Sequence, residues 1–480
     1  MRKLEEIEPR RMFEYFEDIC SIPHGSGDMG AISEYLVDFA EKCGLRAIRD
    51  DAQNVIIYKG GTAGLEDAEP VILQAHMDMV CQKTQDSTID FKKDGIDIYT
   101  DGDFIKARGT TLGADNGIAV AMIMSVLTSE DLAHPPIEAV FTTDEEIGMI
   151  GAGRLDMSLL RGRRMINLDA EEADFVTVSC AGGSDFKIRI PISRQSAFGT
   201  SVKIEVGGLK GGHSGVEIDK GRVNSNILLG RILGFARNRT EIDIIDISGG
   251  DKANAIPLYS KAELVCEDAD GLAEKLRAYC EIVKAENIER EPDCYFKITV
   301  GESGEFDAFT LDISDKLIYM LGVTPNGIQT MSANIDGLVE TSLNLGILAT
   351  GNKEVLMQYA LRSNKKSALR YLEDKLTAFA EYNSCPFGIS GQYAPWEYKD
   401  KSPLRDLYIK TFYEKTGREP EVSAIHAGLE CAVFSAKIND LDCIAIGPDM
   451  TGVHTTGESL SISSAKMIYE LLCETLAKMH

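Results

Sequence analysis

The sequence predicts an α/β protein in which a domain with a mostly parallel sheet is interrupted by an inserted α+β domain with antiparallel sheets. Three observations predict it. The chain has 480 residues, and a single core stops growing at about 250–300, so two or three domains are expected. Short apolar strands alternate with helices at both ends of the chain, which argues for a parallel sheet covered on both faces. In between, apolar and polar residues alternate with period two, as in half-exposed antiparallel strands. The simplest division gives 1–183 and 395–480 to one domain and 184–394 to the insert.

Along the chain, a helix is expected over Pro9–Cys20 and an amphipathic one over Met29–Cys43, with Gly44 just past its end as a C-cap. NVIIY (Asn54–Tyr58), VILQA (Val71–Ala75), IEAVFT (Ile137–Thr142) and MINL (Met165–Leu168) read as strands. Gly113–Thr128 reads as a loop opening into an apolar helix. In the insert, FKIRIPI and SVKIEV alternate, and helices follow near Arg222–Ala236 and Asp270–Ala285. SLNLGILA, VLMQYALR and a helix near Lys366–Tyr382 repeat that order, so two tandem α+β modules are expected. The last segment reads as a helix over Pro403–Thr416, another near Gly428–Ala436, the strand CIAIG and a helix over Ser463–Met479.

The net charge is −26, which repels phosphate backbones and anionic lipid and so argues against nucleic-acid and membrane partners. The N-terminus lacks an apolar signal region, and no apolar run approaches the roughly 20 residues of a membrane span. Eleven scattered cysteines without a C-x-x-C pair fit reduced thiols and a cytoplasmic location.

In open α/β sheets, ligands gather at the carboxyl ends of strands. Five stretches place histidine or carboxylate there: Q-A-His76-M-Asp78, G-A-Asp115-N-G, T-T-D-Glu145-Glu146, N-L-Asp169 and G-V-His454-T-T. Residues two apart on a strand share a face, so His76 and Asp78 can look into one cavity. Each stretch alone has a plainer reading: a local hydrogen bond, a helix N-cap at Asp115, a solvated acidic turn. Jointly they differ. Carboxylates about 4 Å apart repel by about 4 kcal/mol per pair at an effective dielectric near 20, and no lysine or arginine adjoins these positions in the sequence. Two divalent cations offset that repulsion, and imidazole with carboxylate suits zinc, manganese or cobalt.

Taken in order, LQAHMDMVCQK, TTLGADNGIA, TTDEEIGMIGA, GLKGGHSG and IHAGLEC resemble the di-zinc metallopeptidase family of carboxypeptidases, aminoacylases, tripeptidases and carnosinases, nearest its aminoacyl-histidine (Xaa-His) dipeptidases. The resemblance covers nearly the whole chain. It implies a phosphorylase/hydrolase-like catalytic domain and an inserted lid and dimerisation domain. It implies that Asp115 bridges two metal ions, most readily zinc, that His76 and Asp169 complete one shell, and that Glu146 and His454 complete the other. Glu145 is then the general base and Asp78 orients His76. His213 stabilises an oxyanion, in dimeric members from the partner subunit, so a homodimer is expected. Asn254 and Arg362 bind substrate, Arg362 through its free carboxylate, while His426 and Gly428 line the pocket. His24, His134 and His480 are left to structure or surface. The implied activity is hydrolysis of small peptides, Xaa-His dipeptides including β-alanyl-histidine. A tripeptidase, carboxypeptidase or N-acyl amino acid deacylase keeps the metals and changes the substrate; a metal-free scaffold requires a damaged site.

Overall fold

The computed structural model describes residues 2–479, so His480 lies outside the described residues. The chain forms two compact units. The first comprises Met1–Cys180, Trp396–Ala424 and Leu429–His480, and the second comprises Ala181–Pro395 and Ile425–Gly428. The short excursion Ile425–Gly428 carries His426 and Gly428 into the second unit, a crossing that no composition shift marks.

The first unit holds an eight-stranded sheet. Its centre is parallel: Ile137–Thr142, Val71–His76, Arg164–Asn167 and Asp442–Ala445 lie side by side in that order. Antiparallel strands flank it, Val55–Lys59 on one side and Phe175–Cys180 on the other. Val71–His76 and Ile137–Thr142 are buried along their whole length, as expected of strands covered on both faces. Parallel strands in register bring their carboxyl ends to one edge, and the stretches carrying His76, Glu145 with Glu146, and Asp169 follow them there.

The helix Ala114–Leu127 packs against Val71–His76 and is buried almost all round. That burial explains its near-continuous apolar sequence, which lacks an amphipathic stripe. The helices Arg10–Cys20, Gly30–Lys42, Lys366–Tyr382 and Pro403–Thr416 fall within one residue of expectation. Leu311–Val323 is an additional helix, with Thr310 before it and Pro325 two residues past its end as its start and stop signals.

The second unit differs from the tandem-module expectation. One continuous nine-stranded sheet runs through it. The two halves join where Asp243–Gly249 pairs with Val339–Thr350, through Ser248↔Ala349 and Gly249↔Leu348. A shared sheet leaves two fewer unpaired edges than two separate modules. Alternate residues of Gly182–Pro191 and Glu354–Ser363 point into a core with Leu229, Leu276 and Leu376, while their neighbours face outward.

Close backbone approach matters at one exit of the first sheet. Gly447 follows the strand Asp442–Ala445, and a Cβ there would collide with the backbone of Ala170, next to Asp169. Gly447→Ala is therefore expected to lower stability by about 1–3 kcal/mol through overpacking, read from urea unfolding midpoints.

Candidate active site

Seven of the expected residues lie in the first unit and converge. His76 ends its strand fully buried. Its Nδ1 lies 3.0 Å from the Asp78 carbonyl oxygen, with the Asp78 carboxylate farther away at 3.6 Å. Nδ1–H donation to that carbonyl turns Nε2 toward the acids, 3.1 Å from Asp115 Oδ1 and 3.3 Å from Asp169 Oδ1. His454 Nε2 lies 3.2 Å from Asp115 Oδ2 and 2.8 Å from Glu146 Oε1. Asp115 thus turns one oxygen to each histidine.

The Asp78 carboxylate has its own task. It accepts the N–H groups of Glu145 (3.0 Å) and Glu146 (3.4 Å) and the hydroxyl of Ser26 (2.8 Å). Asp144, just before them, has φ 53°, a left-handed value rare outside glycine. That turn aims both N–H groups at Asp78 and splits the two glutamates: Glu146 meets His454, and Glu145 makes no ion pair among the described residues. His454 also has a left-handed φ, 64°. Asp169 receives a hydrogen bond from the Asn116 amide.

The electrostatics follow the crowding. Burial resists protonation of His76, but Asp169, Asp115 and Asp78 raise it well above the usual histidine range. Hydrogen bonds to Asp115 and Glu146 carry His454 up to about 10. Burial alone would raise Asp115, yet the two imidazoles pull it below the usual carboxylate range. Burial and the acids around it raise Glu145 well above the usual range. This is a place that attracts cations. One donor atom each from His76, Asp115 and Glu146 lies within 4.8 Å of the others, a spacing one ion can satisfy, and imidazole with carboxylate is a donor set suited to zinc, manganese or cobalt.

With this geometry established, comparison with known proteins places the chain. The model for peptidase family M20/M25/M40 matches residues 72–478. The chain belongs to that family. It is 36% identical over 480 residues to the cytosol non-specific dipeptidase of Escherichia coli K12, covering 99% of each chain. The crystal structure of aminoacylhistidine dipeptidase from Vibrio alginolyticus superposes with TM-score 0.92 at 34% identity, covering 100% of this chain and 98% of that one. Aminopeptidase PepT from Bacillus cereus shares the fold, with TM-score 0.58 at 14% identity.

Under the strand ends lies a polar network that strand patterning did not single out. Asn167 donates to Gln74 Oε1 (2.6 Å), and Gln74 Nε2 donates to Glu430 Oε2 (2.5 Å). Thr142 donates to the same oxygen (2.6 Å). Gln74 and Asn167 precede His76 and Asp169 by two residues, so the network ties together the strands that deliver them. The visible signal is a lone amide in each of two otherwise apolar strands, VILQAH and MINL.

The second unit holds the other expected residues. Its cleft of about 500 Å³ is lined by Arg362, Asn254, Lys252, Asp185 and Tyr393. Arg362 donates to the Tyr393 hydroxyl (3.1 Å), and its Nη2 lies 3.4 Å from His213 Nε2. His213 Nδ1 accepts the N–H groups of Gly215 and Val216, so neutral His213 carries its proton on Nε2. Two donors therefore face each other, an arrangement that an anionic oxygen satisfies. Asn254 is exposed and Gly428 is half-buried. His426 is buried, with Nε2 2.8 Å from Ser342 Oγ and Nδ1 3.2 Å from Asn364 Oδ1; both ring nitrogens are engaged within the unit. His24 and His134 are buried, each with Nδ1 on a backbone carbonyl.

Glu430 supplies a pH-dependent prediction. Burial lifts its carboxyl to about 8, against the pull of His76 and Thr142, whereas an unfolded glutamate titrates at about 4.3. Between those values the unfolded chain releases a proton that the folded chain keeps, so stability falls as pH rises through this window. Glu430→Gln removes that term. With chelator present, the variant is expected to gain stability relative to the parent between about pH 5 and about pH 8, in urea unfolding at both ends of the range.

Proposed function

We propose that this protein is a dinuclear-metal dipeptidase acting on Xaa-His dipeptides, β-alanyl-histidine among them. The observation that carries the chemistry is Asp115, with one oxygen toward each of two histidines that also face Asp169 and Glu146. The substrate class is supported by the full-length likeness to aminoacylhistidine dipeptidase. The likeness to a non-specific dipeptidase favours a second reading, in which a C-terminal histidine is accepted without being required.

Asp115 would be shared between the two ions, with His76 and Asp169 on one and Glu146 and His454 on the other. Bound divalent ions, zinc before manganese or cobalt, supply Lewis-acid polarisation and a water acidic enough to act at neutral pH. The protein's own groups do the rest. Glu145, held by its N–H on Asp78 and free of an ion pair, takes the proton of the attacking water on its carboxylate and returns it to the leaving nitrogen. His76 keeps Nε2 unprotonated toward the ions through the Nδ1 contact with the Asp78 carbonyl. Arg362 grips the free carboxylate of the substrate as a guanidinium fork suits, and Asn254 adds a polar contact. His213 Nε2–H steadies the developing oxyanion. His426 holds Ser342 and Asn364, and Gly428 lets backbone approach the substrate.

We place the enzyme in the cytoplasm as a homodimer, with the second unit as lid and dimerisation domain and His213 serving the partner's site.

Chelation is expected to abolish hydrolysis of Xaa-His dipeptides, and zinc, manganese or cobalt to restore it; no hydrolysis of dipeptides by the metal-loaded chain would end the proposal. Tripeptides and N-acetyl amino acids, assayed alongside, separate a dipeptidase from its relatives. Glu145→Ala is expected to lower kcat by about 10²- to 10⁴-fold while metal content stays unchanged. Mixed dimers of Glu145→Ala and His213→Ala chains are expected to regain activity that neither parent has; inactive mixed dimers would assign His213 to its own subunit.

A further inference from the structure

Glu458 follows His454 by four residues in the same loop and is only 4% exposed. Its carboxylate lies across four consecutive backbone N–H groups. Oε2 accepts from Leu112 (2.7 Å) and Gly113 (3.2 Å), and Oε1 accepts from Ala114 (2.8 Å) and Asp115 (3.4 Å). Those amides lie at a break in the backbone: Asp115 (φ −82°, ψ 100°) and Asn116 (φ −121°, ψ 28°) are non-helical, and the regular helix begins after them. Glu458 makes no ion pair among the described residues; the four amides are what hold its charge.

An aspartate before an apolar helix usually caps it through its own side chain. Here Asp115 itself is non-helical and its backbone N–H is taken by Glu458, so its carboxylate is free of that task. Both of its oxygens then turn to His76 and His454. The same loop carries His454, so one carboxylate joins the backbone of Asp115 to the backbone of a residue facing it.

We propose that Glu458 is a positioning residue for the dinuclear site: by clamping the 112–115 backbone to the 454–458 loop, it sets how Asp115 is shared between the two ions. This rests on the dinuclear reading above. A merely structural clamp differs in a measurable way, because its loss lowers stability and leaves metal affinity alone.

The test uses the full-length chain, metal-stripped and titrated with Mn²⁺ alone, followed by electron paramagnetic resonance. Glu458→Gln keeps the shape but sets an NH2 donor against backbone donors, so bonds are lost at one end of the clamp. The variant is expected to retain its fold by circular dichroism. Its Mn²⁺ dissociation constants are expected to rise by about 10- to 100-fold, and the spin-coupled signal of a Mn²⁺ pair to weaken at equal loading. Parental affinity and a parental coupled signal in folded Glu458→Gln would overturn the proposal. Should that variant fail to fold, Glu458→Asp keeps the charge and shortens the reach; unchanged Mn²⁺ affinity there overturns it equally. If the parent chain itself binds no Mn²⁺ pair, the dinuclear reading fails first, and the two failures are distinct.

Discussion

Five carboxylates and two imidazoles converge at the carboxyl edge of the first sheet, and among the described residues no lysine or arginine is ion-paired with any of them. That imbalance is the constraint on which the rest depends. Buried acids at such distances repel one another by several kcal/mol per pair at an effective dielectric of about 20. The acids themselves raise His76 and His454 above the usual histidine range. A pair of divalent cations answers more completely and leaves the imidazoles neutral, which is the form that ligates.

Holding such groups together requires a frame that cannot relax them apart. Three devices provide it. Parallel register aligns the strand ends. The buried Asn167–Gln74–Glu430–Thr142 network ties three of those strands just beneath His76 and Asp169. Backbone amides, oriented by Asp78 on one side and by Glu458 on the other, fix the turns that carry Glu145, Glu146 and Asp115. In the second and third devices a carboxylate or amide serves geometry, so the acids of this region divide into those that face the cavity and those that fix the backbone.

This division explains what was legible in the sequence. Each group facing the cavity sits at a strand or loop exit, where a histidine or acid after an apolar run is conspicuous; His76 after VILQA and Asp169 after MINL are such cases. Strand periodicity located the exits, and charge reasoning joined them into one site. Glu458 and Glu430 gave no such signal, because their partners lie hundreds of residues away in the chain and a single glutamate near a helix or in a loop looks solvated. The single sheet of the second unit was hidden for a related reason. Its two halves meet through only the short pairing at Ser248 and Gly249, and sequence order separates those residues from Leu348 and Ala349 by a full module.

The two units also hold charge differently. The first concentrates acids and thereby cations; the second sets Arg362 and Lys252 beside Asp185 and Asp251 in one cleft, with His213 next to Arg362. A dipeptide has a free carboxylate within a few bonds of its scissile carbonyl, so an enzyme that reads that carboxylate measures length from the cut to the end of the chain. A longer substrate with its carboxylate one residue farther on would misplace either the carboxylate or the carbonyl. Under the proposed reading, strictness for dipeptides comes from that terminal carboxylate, which every dipeptide presents, and the identity of the side chains is a weaker and separate choice.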